Sequence, residues 1–145
     1  MTASKFRFFH PMQVRFADTD AQGHVFFGEY FTYFDEAFAA YLKAIGFPWS
    51  GLAELGIDMY YVEAGCQFKA PSYFSEILHV HARINRLGRT SLTCELHIYK
   101  EDSDTLVATG QVTSVVVDRE TGRPMPVPDR LREAVARYEG EENPA

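Results

Sequence analysis

FADTDAQGHVFFGEYFTYFDEAFAAYLKAIGF, residues Phe16–Phe47, sets two aspartates and a Gly-His pair directly before the most apolar helical pattern in the chain. From Gly28 to Ile45 the apolar residues fall at helical spacing. Phe31, Phe34, Phe38, Tyr41, Leu42 and Ile45 form one stripe. Gly46 and Pro48 are stop signals. The stripe is wide, which predicts a helix of about five turns buried on more than one side.

Strand patterns surround this helix. Upstream, FRFFHPMQVRFADTD alternates Val14 and Phe16 with Arg15, which predicts a strand ending near Asp18. Downstream, PWSGLAELG permits a short second helix. IDMYYVEAGCQFKAP then reads as a strand stopped by Pro71. Leu78, Val80, Ala82 and Ile84 share one face of the next strand, and Leu92, Cys94, Leu96 and Ile98 share one face of the one after. TLVATGQVTSVVVD is the last strand. NRLGR, KEDSDT and DRETGRP read as hairpin turns, and links this short require antiparallel neighbours. In PDRLREAVARYEG, the residues Leu131, Ala134, Val135 and Tyr138 make a closing helix that Asp129 can cap.

The fold class is therefore α+β, one curled antiparallel sheet wrapped around one long helix in a single domain spanning 1–145. The stretch GEENPA reads as a polar tail from about residue 140. Such a sheet leaves edges uncovered, and pairing with a second copy is the usual remedy.

Composition narrows the function. Of 145 residues, 46% are hydrophobic and 23% charged, as in ordinary globular chains, and the net charge of −6 comes without a basic tract. Nucleic acid and anionic membranes are poor partners for such a surface. Neither a signal peptide nor a membrane span is legible, so a cytoplasmic location is expected. Cys66 and Cys94 fit neither a metal spacing nor a disulfide framework and read as small apolar side chains. Ser50, Ser91 and Ser114 lie in no nucleophile elbow.

The junction before the helix carries chemistry. A helix start offers unpaired N–H groups and the positive end of the macrodipole, which stabilise a developing oxyanion. The N–H groups near Phe27 and Gly28 are the candidate donors; Gly28 gives a ligand room and Gly23 permits a sharp turn. On an extended segment Asp18 and Asp20 point the same way. One can bond loop amides, while the other faces the space before the helix, as nucleophile or general base. Asp-Thr-Asp followed by glycine equally fits an Asx turn with no catalytic role.

VRFADTDAQGHVFFGEYFTYFDEA resembles the opening of the hotdog-fold thioesterases, in the 4-hydroxybenzoyl-CoA thioesterase and YbgC-like branch. The likeness extends from about Met12 to about Tyr138 and takes in FKAPSYFSEILHVHARINRLGRTSLTCELHIYK and DRETGRPMPVP. It implies hydrolysis of an acyl-CoA to free acid and CoA. Asp20 matches the family's catalytic carboxylate, and Phe27 matches the residue whose N–H polarises the thioester carbonyl. Arg89, Thr90 and Ser91 match the region touching the CoA phosphates, with Arg86 assisting. Relatives often carry Pro-Asn where this chain has Gly28-Glu29, and an aliphatic residue where it has His24. His24 is thus a candidate to orient the aspartate or hold a water, and Glu29 a candidate substrate contact. The implied enzyme is a homodimer or homotetramer with sites between subunits, and no cofactor is implied, because CoA belongs to the substrate. The alternatives are a hydratase or dehydratase using His24 as base, and an acyl-CoA or acyl-carrier binding protein.

Three other groups stay open. His79 and His81 share a strand face, and a three-residue hairpin loop would set His97 opposite His79; this is read as a solvated or interface face, with no metal expected. Asp35 and Glu36 suit the early helix dipole. Tyr60, Tyr61 and Phe68 fit either sheet core or an acyl pocket across a subunit boundary.

Overall fold

Five antiparallel strands in the order β1-β3-β4-β5-β2 wrap a long helix in the computed structural model, which describes residues 5–140. The tail expected from about residue 140 lies outside the described residues, apart from Gly140. The strands are β1 (Phe9–Gln13), β2 (Ile57–Phe68), β3 (Ile77–Leu87), β4 (Ser91–Lys100) and β5 (Leu106–Asp118). The helices are α1 (Glu29–Ala44), α2 (Ser50–Glu54) and α3 (Asp129–Glu139). This is the hotdog arrangement, an α+β fold.

α1 is buried on several sides. Tyr30, Tyr33, Phe34, Ala37, Phe38, Tyr41 and Leu42 all lie in the core. Phe31 is only half-buried, while Tyr30, Tyr33 and Ala37 join the buried face because the curled sheet closes round the helix. The sheet meets it with the faces expected from alternation. Leu78, Val80, Ala82 and Ile84 of β3 and Leu92, Cys94, Leu96 and Ile98 of β4 are fully buried. Phe34 comes so close to β5 that no side chain fits beneath it. A Cβ on Gly110 would stand 2.5 Å from the Phe34 ring and 2.5 Å from the Gly65 carbonyl oxygen.

The first strand is shorter than its alternation predicts. It ends at Gln13, and Phe16–Asp18 form a 3-10 turn. The Asp18 N–H donates to the Arg15 carbonyl, and the Arg15 N–H donates to the Asp18 carboxylate. Local side-chain bonding of this kind competes with a strand ladder. Phe16, placed inward by the strand reading, is 76% exposed and packs edge-on against Phe74.

Two smaller expectations also change. Asp129 is the first residue of α3 rather than its cap; Pro128 occupies the cap, and the acid faces the dipole instead. An extra residue at Asn85 in β3, with the turn between Leu87 and Leu92, sets His81 opposite His97, so His79 faces Tyr99.

α3 is fastened to the core by a buried polar link. The Tyr41 hydroxyl donates to Glu139 at 2.5 Å and accepts the Ile84 N–H at 3.2 Å. Burial and the Glu139 carboxylate both push the Tyr41 phenol far above its ordinary range, so it remains a donor.

Two stability outcomes follow. Gly110→Ala should destabilise the fold by about 1–3 kcal/mol or more in urea titration, because backbone and core ring must both move. Tyr41→Phe should cost about 1–3 kcal/mol by leaving the Ile84 amide and Glu139 without their partner.

Candidate functional site

The two aspartates of the opening stretch have different surroundings. Asp18 is 2% exposed. Its carboxylate accepts from the Arg15 guanidinium at 2.8 Å and from the Tyr33 hydroxyl at 2.9 Å. Burial works against its ionisation most strongly, but the bonds from Arg15 and Tyr33 outweigh burial and hold the carboxyl below its ordinary value.

Asp20 is half-buried and lines a cavity of about 140 Å³. One carboxylate oxygen accepts the Gln22 N–H at 2.9 Å, which is the Asx turn that the spacing allowed. The Asp20 N–H donates to the His24 carbonyl and the Gly23 N–H to the Asp20 carbonyl, with Gly23 at φ 87°. The turn and a place at the cavity are not alternatives: the same tight turn leaves the Asp20 side chain on the cavity wall.

The cavity floor is the start of α1. Glu29, Tyr30 and Phe31 donate their N–H groups back to the carbonyls of Phe26, Phe27 and Gly28. The N–H groups of Phe27 and Gly28 donate to no protein acceptor among the described residues. Gly28 has an ordinary helical φ of −68°, so backbone freedom is not its role; a Cβ there would press the Phe26 ring at 2.9 Å. Phe27, Tyr30, Phe68, Ala70 and Pro71 supply apolar wall.

His24 also lines the cavity, with its Nδ1 3.2 Å from the Val25 carbonyl. A carbonyl only accepts, so Nδ1 carries the hydrogen in that bond. Glu29 turns the other way, with a carboxylate oxygen 4.0 Å from the Arg15 guanidinium. Arg86, Arg89, Thr90 and Ser91 sit at the opposite pole of the sheet. The Asp20 loop hangs at the Ile77 end of β3, where Val14 bonds Glu76 and His24 bridges Tyr73. The hairpin lies beyond Leu87, ten strand residues or roughly 30 Å away. There Arg86 and Ser91 border a polar groove of about 360 Å³, with Arg86 3.5 Å from the Ser91 hydroxyl. Within one chain the two groups do not meet.

Sequence reasoning missed several neighbours. Tyr30 falls off the helical stripe, and Pro71 reads only as a strand stop, yet both line the cavity. The link from Tyr33 to Asp18 leaves no local signal across fifteen positions of the chain. Phe68 is a cavity residue, whereas Tyr60 and Tyr61 are exposed rather than core. Tyr61 donates to Asp35 at 2.6 Å, so Asp35 does more than face the dipole. Cys94 is buried in the core and Cys66 half-buried.

The pattern of the thioesterase-like superfamily matches residues 14–135. The chain belongs to that superfamily. By this membership it is a thioester hydrolase of the hotdog fold. The thioesterase is 27% identical over 122 residues to a 1,4-dihydroxy-2-naphthoyl-CoA hydrolase of Synechococcus elongatus, covering 83% of this chain and 88% of that one. It superposes on the gentisyl-coenzyme A thioesterase BH1999 with a TM-score of 0.80 and 34% identity, covering 89% of this chain and all (100%) of that one. A 1,4-dihydroxy-2-naphthoyl-CoA thioesterase from Synechocystis gives a TM-score of 0.82 at 25% identity, over 89% of this chain and 95% of that one. None of the helices among the described residues is long and apolar enough to cross a membrane.

On the outer face of the thioesterase's sheet, Phe6 packs over His81 and His97 at 5.5 and 4.9 Å. Burial, followed by the neighbouring His79 and His97, lowers His81 from 6.5 to about 4. Among the described residues no group of three or more His, Cys, Asp or Glu side chains is placed to hold a metal ion. Protons bind His81 in the unfolded chain before the folded one between pH 6.5 and about 4, so its contribution makes stability fall as pH drops through that window. Denaturation midpoints against pH should show this slope, and His81→Gln should flatten it.

Proposed function

We propose that this thioesterase hydrolyses an acyl-CoA with Asp20 as the reacting carboxylate. The observation that carries the reading is the meeting of that carboxylate with Phe27 on one small cavity, where the N–H groups of Phe27 and the adjacent Gly28 have no protein acceptor among the described residues. The thioester carbonyl oxygen lies against those amides, and its carbon faces Asp20. Either the carboxylate attacks the carbon directly, or it takes a proton from the water that attacks. Negative charge grows on the carbonyl oxygen, where amides fixed by the helix start stabilise it. The carbon–sulfur bond then breaks, and CoA leaves as the thiolate and gains a proton; after direct attack a water hydrolyses the mixed anhydride left on Asp20, and by either course the free acid is released. A thioester carries a good leaving group, so a carboxylate, a water and fixed dipoles suffice without a cofactor.

The wall of Phe27, Tyr30 and Phe68 suits a flat acyl group, and the aryl-CoA names of two relatives agree with that. CoA esters as substrate fit a cytoplasmic enzyme.

The functional unit in this reading is a homodimer. The β1 edge is five residues long and holds Pro11, which blocks pairing. The β2 edge runs twelve residues without proline and exposes Tyr60, Tyr61, Val62 and Phe68. Two β2 edges paired antiparallel bring the Ile57 end of one beside the Phe68 end of the other. Tyr60 pairs with Val115, and Val115 with Ser91. The second copy's hairpin, with its Arg86 and Arg89, therefore comes round to the Asp20 side of this chain. The pole-to-pole separation within one chain is thus bridged between two. Association of two such dimers gives the homotetramer.

A panel of aryl and fatty acyl-CoAs, followed by a free-thiol reagent, tests the chemistry. Asp20→Asn should lower kcat by about 10²–10⁴-fold with the fold intact. Unchanged turnover, or product formation without free CoA, would defeat the reading. Mixed subunits test the shared site. Asp20→Asn and Arg86→Ala/Arg89→Ala chains, each weak alone, should regain about a quarter of wild-type activity on random pairing, since half the dimers carry one intact site.

A further inference from the structure

We propose that Asp18 is a positioning residue: its buried carboxylate locks the Asp20 turn to the first turns of α1 and so sets the carboxylate in register with the Phe27 and Gly28 amides. This rests on the preceding reading of Asp20 and those amides.

Asp18 holds three separate parts of the chain. Its carboxylate accepts the Arg15 N–H at 3.0 Å, and Arg15 Nη2 and Nε at 2.8 and 3.2 Å, which fixes the incoming segment. The same carboxylate accepts the Tyr33 hydroxyl at 2.9 Å, which fixes the body of α1. Its carbonyl oxygen accepts the Phe26 N–H at 2.9 Å, which fixes the main chain entering the oxyanion donors. The arginine it holds also lies 4.0 Å from Glu29, the first residue of α1. Tyr33 is fully buried, so this anchor point moves only if the core moves.

The Asp20 turn hangs between these anchors. Upstream it is held by Asp18. Downstream it is held by Val25, whose N–H donates to the buried Ser72 carbonyl, and by the Phe26 bond already described. Between them the hydrogen bonds among the described residues are short-range: Asp20 N–H to the His24 carbonyl, Gly23 N–H to the Asp20 carbonyl, Gln22 N–H to the Asp20 carboxylate and His24 Nδ1 to the Val25 carbonyl. Those bonds shape the turn but do not aim it at the helix. The aim comes from Asp18. A carboxylate with several donors is needed because each of its partners donates; an asparagine would set an NH₂ against N–H or O–H donors.

The test uses the full chain with Asp18→Asn and Tyr33→Phe. Three readouts are kcat and KM from thiol release, the melting temperature, and amide hydrogen exchange. Asp18→Asn should lower kcat about tenfold or more while KM moves less than about twofold, since a small misplacement of reacting groups costs rate rather than affinity. Exchange should quicken across residues 19–28 and stay unchanged in β3, β4 and β5. Tyr33→Phe keeps the ring and removes one donor; it should show the same pattern more weakly and carries the test if Asp18→Asn does not fold. Adding Arg15→Met to Asp18→Asn should change little further, because both remove one network. Unaltered kcat in a folded Asp18→Asn variant overturns the proposal, whatever exchange at 19–28 shows. So does a loss of rate that disappears on cooling, in step with global stability. Failure here is separable from failure of the functional reading. An inactive Asp20→Asn beside a fully active Asp18→Asn removes only the positioning role. An active Asp20→Asn removes the chemistry, and exchange at 19–28 then still reports whether Asp18 holds the turn.

Discussion

The seating of α1 against a side-chain-free spot in the sheet governs the rest of the molecule. Phe34 rests over Gly110, where even a methyl group would collide with the ring and with the Gly65 backbone. That contact sets the depth of the helix in the curl of the sheet. Depth in turn decides which helix residues are buried. It also fixes where the helix N-terminus emerges, and the proposed reacting groups stand at that terminus. Close packing makes such a position sharp, because core side chains have few alternative arrangements.

The site follows from this seating. A helix start always leaves amides without intrahelical acceptors. Here Phe27 lies at a cavity because the turn from Thr19 to Val25 folds back on itself instead of capping the helix; Gly28, which occupies the cap position, has no side chain to satisfy the helix-start amides. The aspartate on that turn is brought to the same cavity by its own Asx bond. The two carboxylates therefore differ in surroundings: Asp18 is enclosed by donors, whereas Asp20 keeps part of its acceptor capacity open to the cavity.

The two edges of the sheet make a second asymmetry. Pro11 and short length close β1, while β2 stays long, apolar and open. A single chain keeps its carboxylate and its hairpin arginines at opposite poles, and the proposed antiparallel meeting of β2 edges would join them. Catalysis and assembly are in this view one problem.

Much of this was legible in the residue order. Local periodicity marks α1 and the inward faces of β3 and β4, because burial repeats every 3.6 or two residues and leaves that period in the sequence. Short polar links force antiparallel neighbours, and the motif around Asp20 marks the loop as chemical. Other features were set by contacts between distant parts of the chain. Phe16 continues an alternating pattern yet points to solvent, since Asp18 draws the backbone into a 3-10 turn. The extra residue at Asn85 shifts which histidines face each other. Tyr30, Phe68 and Pro71 meet round one cavity, and Tyr33 reaches Asp18, only once the sheet has curled over the helix. The sequence by itself determined the elements, their pairing sense and the loop before α1 that carries Asp20. Tertiary structure alone decided which aspartate is held, which side chains wall the cavity and how far the arginines lie from it, because those depend on packing between residues that share no local pattern.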